Sequence, residues 1–120
     1  TNTGAMGFNG NTAAKTLTLT GCNAGDNTIA SVIGNNTGAT SLTKDGLGTW
    51  VLTGQNSYTG TTTIRSGTLK LQSGASNITQ ILGALSNNFG EVTLLSNKSG
   101  AGNITTTFGV YSRSAGAAGN

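Results

Sequence analysis

The sequence predicts an all-β protein folded as a parallel β-helix, a solenoid whose coils take about 22–23 residues each. Short runs of β-branched and aliphatic residues alternate with Gly, Asn, Ser and Asp, which tolerate tight turns. The centres of these runs recur regularly, because Leu19, Leu42 and Ile64 lie 23 and 22 residues apart. Residues 1–74 show no helical periodicity. A repeat of this length is typical of stacked units that bury their apolar faces only against one another.

The first elements are short strands. In residues 15–19, Leu17 and Leu19 alternate with polar residues and are expected to share the interior of a coil. Asn and Gly at the breaks between strands supply the left-handed backbone conformations that tight turns require. The next predicted strands are residues 49–53, 61–65 and 68–71.

The second half of the chain is less regular. In residues 77–89, apolar residues at spacings of three and four indicate a short helix, and two short strands are an equal alternative. Residues 92–95 and 104–111 are predicted strands, and the second of these alternates as a half-buried strand does. Residues 114–120 are small and polar, which indicates a tail or a connector.

Composition indicates a folded chain that uses little charge. Of 120 residues, 20 are Gly and 34% are hydrophobic, while Asp and Glu together number 3, Lys and Arg number 6, and His and Pro are absent. Disordered chains usually combine high net charge with proline and few β-branched residues. The net charge of +3 comes from cations at least five positions apart, whereas a nucleic-acid interface requires clustered cations. The sequence therefore predicts no nucleic-acid partner.

Residues 41–71 carry the most specific pattern in the chain, with Gly, Thr, aromatic and aliphatic residues at fixed offsets. This pattern resembles the autotransporter-associated β-strand repeat of bacterial surface proteins, over about a quarter of the chain. The resemblance implies a structural solenoid and no chemistry, so the matching residues are expected to define the repeat rather than to bind a ligand. The matching residues are Leu42, Lys44, Gly46, Gly48, Trp50, Leu52, Gly54, Asn56, Tyr58, Gly60, Ile64, Gly67, Leu69 and Leu71.

Chain length is that of one domain or of a fragment of a larger protein. We expect three regions: solenoid coils over residues 1–74, a less regular continuation or cap over 75–113, and a tail or connector over 114–120. The chain starts at Thr1 rather than Met, which indicates a processed product or an excised piece. No apolar run approaches the roughly 18 residues of a membrane-spanning helix, so no membrane insertion is predicted.

Catalytic, cofactor-binding and metal-binding residues are not predicted. A Ser-His-Asp site requires histidine, which is absent. Glycosidase chemistry requires two carboxylates that flank one bond, and the three acids, Asp26, Asp45 and Glu91, are dispersed along the sequence. Three dispersed acids do not readily form the oxygen cage that Ca²⁺ prefers. The sequence therefore predicts a protein that is not an enzyme and that needs no cofactor.

Covalent modification is suggested at two kinds of residue. Cys22 is the single cysteine; we expect a small buried side chain beside a turn, with an intermolecular disulfide as the alternative. Asn-x-Ser/Thr tripeptides are candidate glycosylation sites in a secreted protein whose source organism glycosylates such proteins. They begin at Asn35, Asn77, Asn97 and Asn103.

The leading functional interpretation is a non-catalytic structural segment, a stalk or passenger part of a secreted or cell-surface bacterial protein, whose partners are flanking repeats. The alternative is the subunit of an extracellular filament. Identical subunits would then join through open strand edges at residues 1–11 and 104–111. A third interpretation, a β-helix enzyme acting on polysaccharide, has little support from three dispersed acids.

Overall fold

The structure of the chain is a computed structural model that describes residues 6, 12–35, 37–73, 77–87, 91–98, 101–109, 111–113 and 118–119, the last strands by their backbone. Every regular element in these residues is a strand, and every strand pair is parallel, so the predicted all-β solenoid is confirmed. The strands are β1 Lys15–Leu19, β2 Asp26–Ile29, β3 Thr40–Lys44, β4 Thr49–Leu52, β5 Thr62–Ile64, β6 Gly67–Ser73, β7 Ile78–Leu82, β8 Leu85–Asn87, β9 Glu91–Lys98, β10 Ile104–Phe108, β11 Tyr111–Arg113 and β12 Ala118–Gly119.

Successive strands of one coil lie in different sheets. The first sheet has the order β1-β3-β5-β8-β11, and the second has the order β12-β9-β6-β4-β2. A third face holds β7 and β10 as a pair, preceded in the earlier coil by irregular backbone around Asn56. Because strands of one sheet come from consecutive coils, each sheet runs along the stack and the coils stabilise one another through backbone hydrogen bonds.

Strand register shows that the coils are unequal in length. Lys15 pairs with Thr40, 25 positions later, whereas Leu42 pairs with Thr62, 20 positions later. The regularly spaced pair Leu19 and Leu42 are therefore not register partners, since Leu19 lies opposite Lys44. Register spacings in the first sheet range from 20 to 26 residues with a mean of 23.5, slightly above the predicted 22–23. Individual coils depart from it because the corners differ in length while the strands stay in register.

The core lies between the sheets and is filled by alternate residues of each strand. In β3 and β7, buried residues alternate with more exposed ones, as one inward and one outward face require. Burying a large aliphatic side chain contributes roughly 1.5–3 kcal/mol, so a single coil of this size depends on its neighbours. The buried cluster comprises Leu19, Ile33, Leu42, Leu52, Tyr58, Ile64, Leu69, Leu71, Leu82 and Leu85.

The predicted helix near residues 77–89 is wrong, and the alternative of two strands is correct over the described residues 77–87. β7 and β8 occupy this segment. A helical stripe would place Ile81 on the buried face, yet Ile81 is 50% exposed on the outer face of β7. Tertiary pairing overrides the local spacing because β7 gains β10 as a parallel partner and β8 gains both β5 and β11.

Gly83 lies at the break between β7 and β8, where the corner stacks closely on the preceding coil. A Cβ atom at this position would collide with the backbone oxygens of Thr59 and Gly60 in the preceding coil. The corner therefore accepts only glycine, and the chain changes sheet there. On either side of the corner, Ile81 N–H donates to the Asn56 carbonyl, and Thr62 N–H donates to the carbonyl of the residue after Gly83.

The end of the chain is also built into the sheets where it is described. β9 is longer than the predicted strand at residues 92–95, and the predicted strand at 104–111 contains β10 and the first residue of β11. In the expected tail, β12 pairs with the start of β9. The division into three regions stays a prediction.

Candidate functional site: the residues of the repeat

The apolar residues that carry the repeat pattern lie inside the solenoid. None of the six is more than 2% exposed, so they offer no surface to a ligand. Alternation along β3, β5 and β6 directs their apolar residues to this interior, while Leu52 ends β4 and Tyr58 lies between β4 and β5. These six residues are Leu42, Leu52, Tyr58, Ile64, Leu69 and Leu71.

Lys44 is the unusual member of the repeat because its charged side chain is fully buried, with 0% exposure. Its Nζ atom donates to three backbone carbonyls, those of Asp45 at 3.0 Å, Gly46 at 2.6 Å and Ser66 at 3.2 Å. Three donors and three acceptors leave the ammonium group satisfied. Burial lowers the pKa of Lys44 below its usual 10.5, and the Asp45 charge acts in the opposite direction. Lys44 therefore joins the corners of two coils.

Asp45 completes the same corner. Its Oδ1 accepts from the Gly46 N–H at 2.8 Å and from the Ser66 hydroxyl at 3.3 Å. Ser66 lies 21 residues later, in the corner of the next coil. The carboxylate of Asp45 thus connects two coils.

A column of glycines lines this corner from coil to coil. Gly21, Gly46 and Gly67 have φ values of 125°, 80° and 73°, which L-residues with side chains rarely adopt. A Cβ atom on Gly46 would lie 2.6 Å from the Gly21 oxygen, and one on Gly48 would lie 3.0 Å from it. Glycine is required here because the corners stack backbone on backbone.

A second stacked contact, on the third face, joins two buried amides. Asn56 Nδ2 donates to Gln80 Oε1 at 2.7 Å, and Gln80 Nε2 donates to the Gly54 carbonyl at 2.7 Å. Asn56 Oδ1 accepts from the Ile33 N–H at 2.8 Å, so the contact spans three coils. Gln80 was not among the predicted site residues. Its signal in the sequence is a polar residue at the inward position between Ile78 and Leu82.

The two aromatic residues of the repeat act as packing residues with a polar anchor. Tyr58 is 0% exposed, and its hydroxyl is 2.8 Å from Thr62 Oγ1. Burial raises the pKa of the Tyr58 phenol well above its usual 10.0, partly offset by the Thr62 hydrogen bond. Trp50 is partly buried against the core and donates from Nε1 to the Thr20 carbonyl at 3.2 Å.

The remaining repeat glycines mark close approach between coils. A Cβ on Gly54 would lie 2.7 Å from the Ser31 oxygen, and one on Gly60 would collide with Thr40. The structure thus brings Lys44, the glycines and the buried aromatics together as contacts between coils. The assignment of these residues as repeat-defining stays a prediction.

The other candidates from the sequence are placed as follows. Asp26 contacts Lys70 at 2.8 Å, and the side chain of Glu91 lies outside the described part. Cys22 is exposed in a corner, residues 20–25, where every residue is exposed, so its expected burial is wrong. Residues 1–11, one proposed contact segment, lie outside the described residues apart from Met6.

The described part of the chain holds neither a group of metal-ligating side chains nor a helix that could span a membrane. Among those residues, no three His, Cys, Asp or Glu side chains are grouped so that they could hold a metal ion. The same residues contain no helix with the length and apolar character needed to cross a membrane.

Comparisons with known proteins agree with this geometry. Residues 42–71 match the family described as Passenger-associated-transport-repeat. The chain is 49% identical over 75 residues, 62% of its length, to the adhesin BmaC autotransporter of Brucella suis biovar 1 (strain 1330). It spans only 2% of the length of that relative. No solved structure matches the chain. Residues 42–71 thus match a passenger-associated transport repeat, and these similarities indicate a segment of a secreted or cell-surface protein with a β-solenoid fold.

Proposed function

We propose that this segment is a non-catalytic stalk that holds flanking parts of a surface protein at a fixed distance and orientation. The observation that carries the proposal is that the polar residues of the repeat are buried and make their hydrogen bonds inside the solenoid. Lys44, Asn56 and Tyr58 are each at most 1% exposed. The polar side-chain atoms of each residue form hydrogen bonds within or between coils. A binding or catalytic segment would instead turn such groups toward solvent.

Stacking also supports a mechanical role. Each coil adds about 4.8 Å along the axis and is held by backbone hydrogen bonds to the coils on both sides. Contacts of this kind extend without limit in one dimension, so the length of a stalk is set by the number of coils. The similarity to a protein named as an adhesin supports a stalk that serves adhesion by the whole protein.

The test is a pair of deletions in the full-length protein that carries this segment. Deleting residues 40–59 removes one complete coil, because Leu42 pairs with Thr62 and β5 then takes the place of β3 on β1. Deleting residues 40–50 removes half a coil and puts the following strands in the wrong sheet. Display is measured by antibody labelling of an epitope at the exported end on intact cells.

A stalk tolerates loss of one whole coil and is disrupted by loss of half a coil. Equal labelling after both deletions, or loss of labelling after both, contradicts the proposal. The filament alternative has a separate readout, negative-stain microscopy of the purified chain when fresh and after a day. Dispersed particles agree with a stalk, and long uniform fibres favour strand-edge assembly of identical subunits.

A further inference from the structure

Two of the four Asn-x-Ser/Thr tripeptides stack directly on each other in the folded chain. Residues 77–79 and 103–105 are both Asn-Ile-Thr and lie in register at the start of β7 and β10. Asn103 N–H donates to Asn77 Oδ1 at 2.8 Å, and the Ile78 N–H donates to the Asn103 carbonyl at 2.9 Å. The third face of the solenoid therefore presents two identical tripeptides on neighbouring coils.

The first of these tripeptides, residues 77–79, exposes the two side chains that define an acceptor site, those of the Asn and the Thr. Asn77 and Thr79 are exposed, while the intervening Ile78 is 9% exposed and faces the core. The carboxamide of Asn77 is held at Oδ1 by the Asn103 N–H, and its Nδ2 donates to no described residue. The side chain is thus oriented by its oxygen and presents its nitrogen to solvent.

Asn35, at the start of another tripeptide, is also exposed, but both polar atoms of its side chain are hydrogen-bonded. Its Oδ1 accepts from the Thr40 N–H at 3.0 Å and from the Thr59 N–H at 3.1 Å, and its Nδ2 donates to Thr59 Oγ1 at 2.8 Å. Thr37, the hydroxyl residue of that tripeptide, has φ of 68°. Substitution at the Asn35 nitrogen would break a contact between two coils, so its role is structural. The side chain of Asn97 lies outside the described part of the chain.

We propose that Asn77 is an N-glycosylation site and that Asn35 is not. The donor is a nucleotide-activated hexose, supplied by a separate glycosyltransferase. The Asn77 Nδ2 attacks the anomeric carbon of the sugar, and an N–C bond forms as the bond from that carbon to the diphosphate oxygen breaks. The electron pair leaves with the nucleoside diphosphate, and a base of the transferase takes one Nδ2 proton.

The stack also limits how many sugars this face carries. Asn77 and Asn103 are separated by one strand spacing, about 4.8 Å, which is narrower than a pyranose ring with its hydroxyls. One sugar per pair is therefore expected. A sugar here projects from the solenoid without entering a coil contact, so the fold does not oppose it.

Tryptic peptides separate the sites, because trypsin cleaves after Lys15, Lys44, Lys70, Lys98 and Arg113. Peptide 16–44 contains Asn35, peptide 71–98 contains Asn77, and peptide 99–113 contains Asn103. The protein is isolated from the cells that produce it and mapped by mass spectrometry, with fragmentation to distinguish Asn77 from Asn97. Thr79→Val removes the acceptor signal, and Thr79→Ser retains it. Both leave the buried face of β7 unchanged, and circular dichroism checks that both variants fold.

The expected result is a hexose on peptide 71–98 at Asn77, lost in Thr79→Val and retained in Thr79→Ser, with peptide 16–44 unmodified. An unmodified peptide 71–98 overturns the proposal, as does a sugar on Asn35. A second measurement treats the folded and the urea-unfolded chain with a sequon-specific N-glycosyltransferase and UDP-glucose. Transfer to Asn77 in both states, and to Asn35 only after unfolding, agrees with the geometry. Equal transfer to both sites in the folded chain contradicts it.

Discussion

Lys70 Nζ lies 2.8 Å from Oδ2 and 3.0 Å from Oδ1 of Asp26, although the two residues are 44 positions apart in sequence. The strand between them, β4, contributes Val51, which is the register partner of Lys70. Val51 lies outside the core cluster, yet it is 2% exposed. The ion pair thus spans three coils on an outer face of the solenoid, and we expect the aliphatic stem of Lys70 to cover its register partner Val51.

We predict that the stem of Lys70 stabilises the fold more than its charge. Lys70→Met keeps most of the cover over Val51, and loss of a partly exposed ion pair is expected to cost about 0.2–1 kcal/mol. Lys70→Ala exposes Val51 as well and should cost more. Urea unfolding of both variants, with Asp26→Asn as the charge-only control, checks the order. A Met variant as unstable as the Ala variant contradicts it.

Replacement of Lys44 is expected to destabilise the chain at any pH near neutrality. Lys44→Met fills similar space but leaves three carbonyls without their donor, at roughly 1–3 kcal/mol for a buried group. Lys44→Ala also leaves a cavity, which adds roughly 2 kcal/mol or more. Chemical denaturation measures both, and the Ala variant should recover partly in methylammonium, whose cation fits the vacated carbonyl cluster. Lys15→Met, at a partly exposed position of β1 where Nζ donates to the Ala13 carbonyl, is the control and should cost less.

Tyr58 should make stability fall at high pH. Folding raises the phenol pKa above 10.0, so the unfolded chain loses its proton first and binds fewer protons than the folded chain above that pH. The contribution is fully present below pH 10 and is lost as pH rises toward the higher folded value. Tyr58→Phe costs about 1 kcal/mol at pH 7, because Thr62 loses its partner. The stability gap between wild type and variant should narrow above pH 10; a constant gap contradicts the assignment.

Corner glycines are predicted to be intolerant of any side chain, in contrast to glycines in open corners. Gly83→Ala places a Cβ against the Gly60 backbone and should lower the free energy of unfolding by several kcal/mol or prevent folding. Gly25→Ala is the matched control, because its added Cβ would meet only the Asn23 amide nitrogen at 3.8 Å. Thermal melts and soluble yield compare the two. Similar behaviour of both variants would show that the coils do not approach as closely as described.

The hydrogen bond between the buried amides of Asn56 and Gln80 is expected to stabilise the stacking of their two coils. Gln80→Leu leaves Asn56 Nδ2 and the Gly54 carbonyl without partners and should cost about 2–3 kcal/mol. Thr79→Leu, on the outer face of the same strand, is the control for added apolar volume and should be nearly neutral. Hydrogen exchange of the Asn56 and Ile81 amides should quicken in the first variant alone.

Sequence reasoning reached the architecture because a solenoid repeats its signal. Each coil needs apolar residues at alternate positions and glycine at corners. The pattern therefore recurs along the chain and makes the fold class recognisable, as it does at Leu42, Trp50 and Gly60. The same reasoning did not decide between a helix and two strands at residues 77–89. There the spacing of the apolar residues matches a helix, and only pairing with β5 and β10 in neighbouring coils selects two strands.

The sequence by itself determined the class of fold, the location of the repeat and the absence of histidine chemistry, since these depend on local pattern and composition. The tertiary structure decided which residues meet. The fold places Lys44 beside the Ser66 carbonyl 22 residues later and Asp26 beside Lys70. It also brings Asn77 within hydrogen-bonding distance of Asn103. Such contacts depend on register, and register depends on corner lengths that vary from coil to coil. A spacing averaged over the chain cannot resolve them, whereas the hydrogen-bonded stack fixes them one coil at a time.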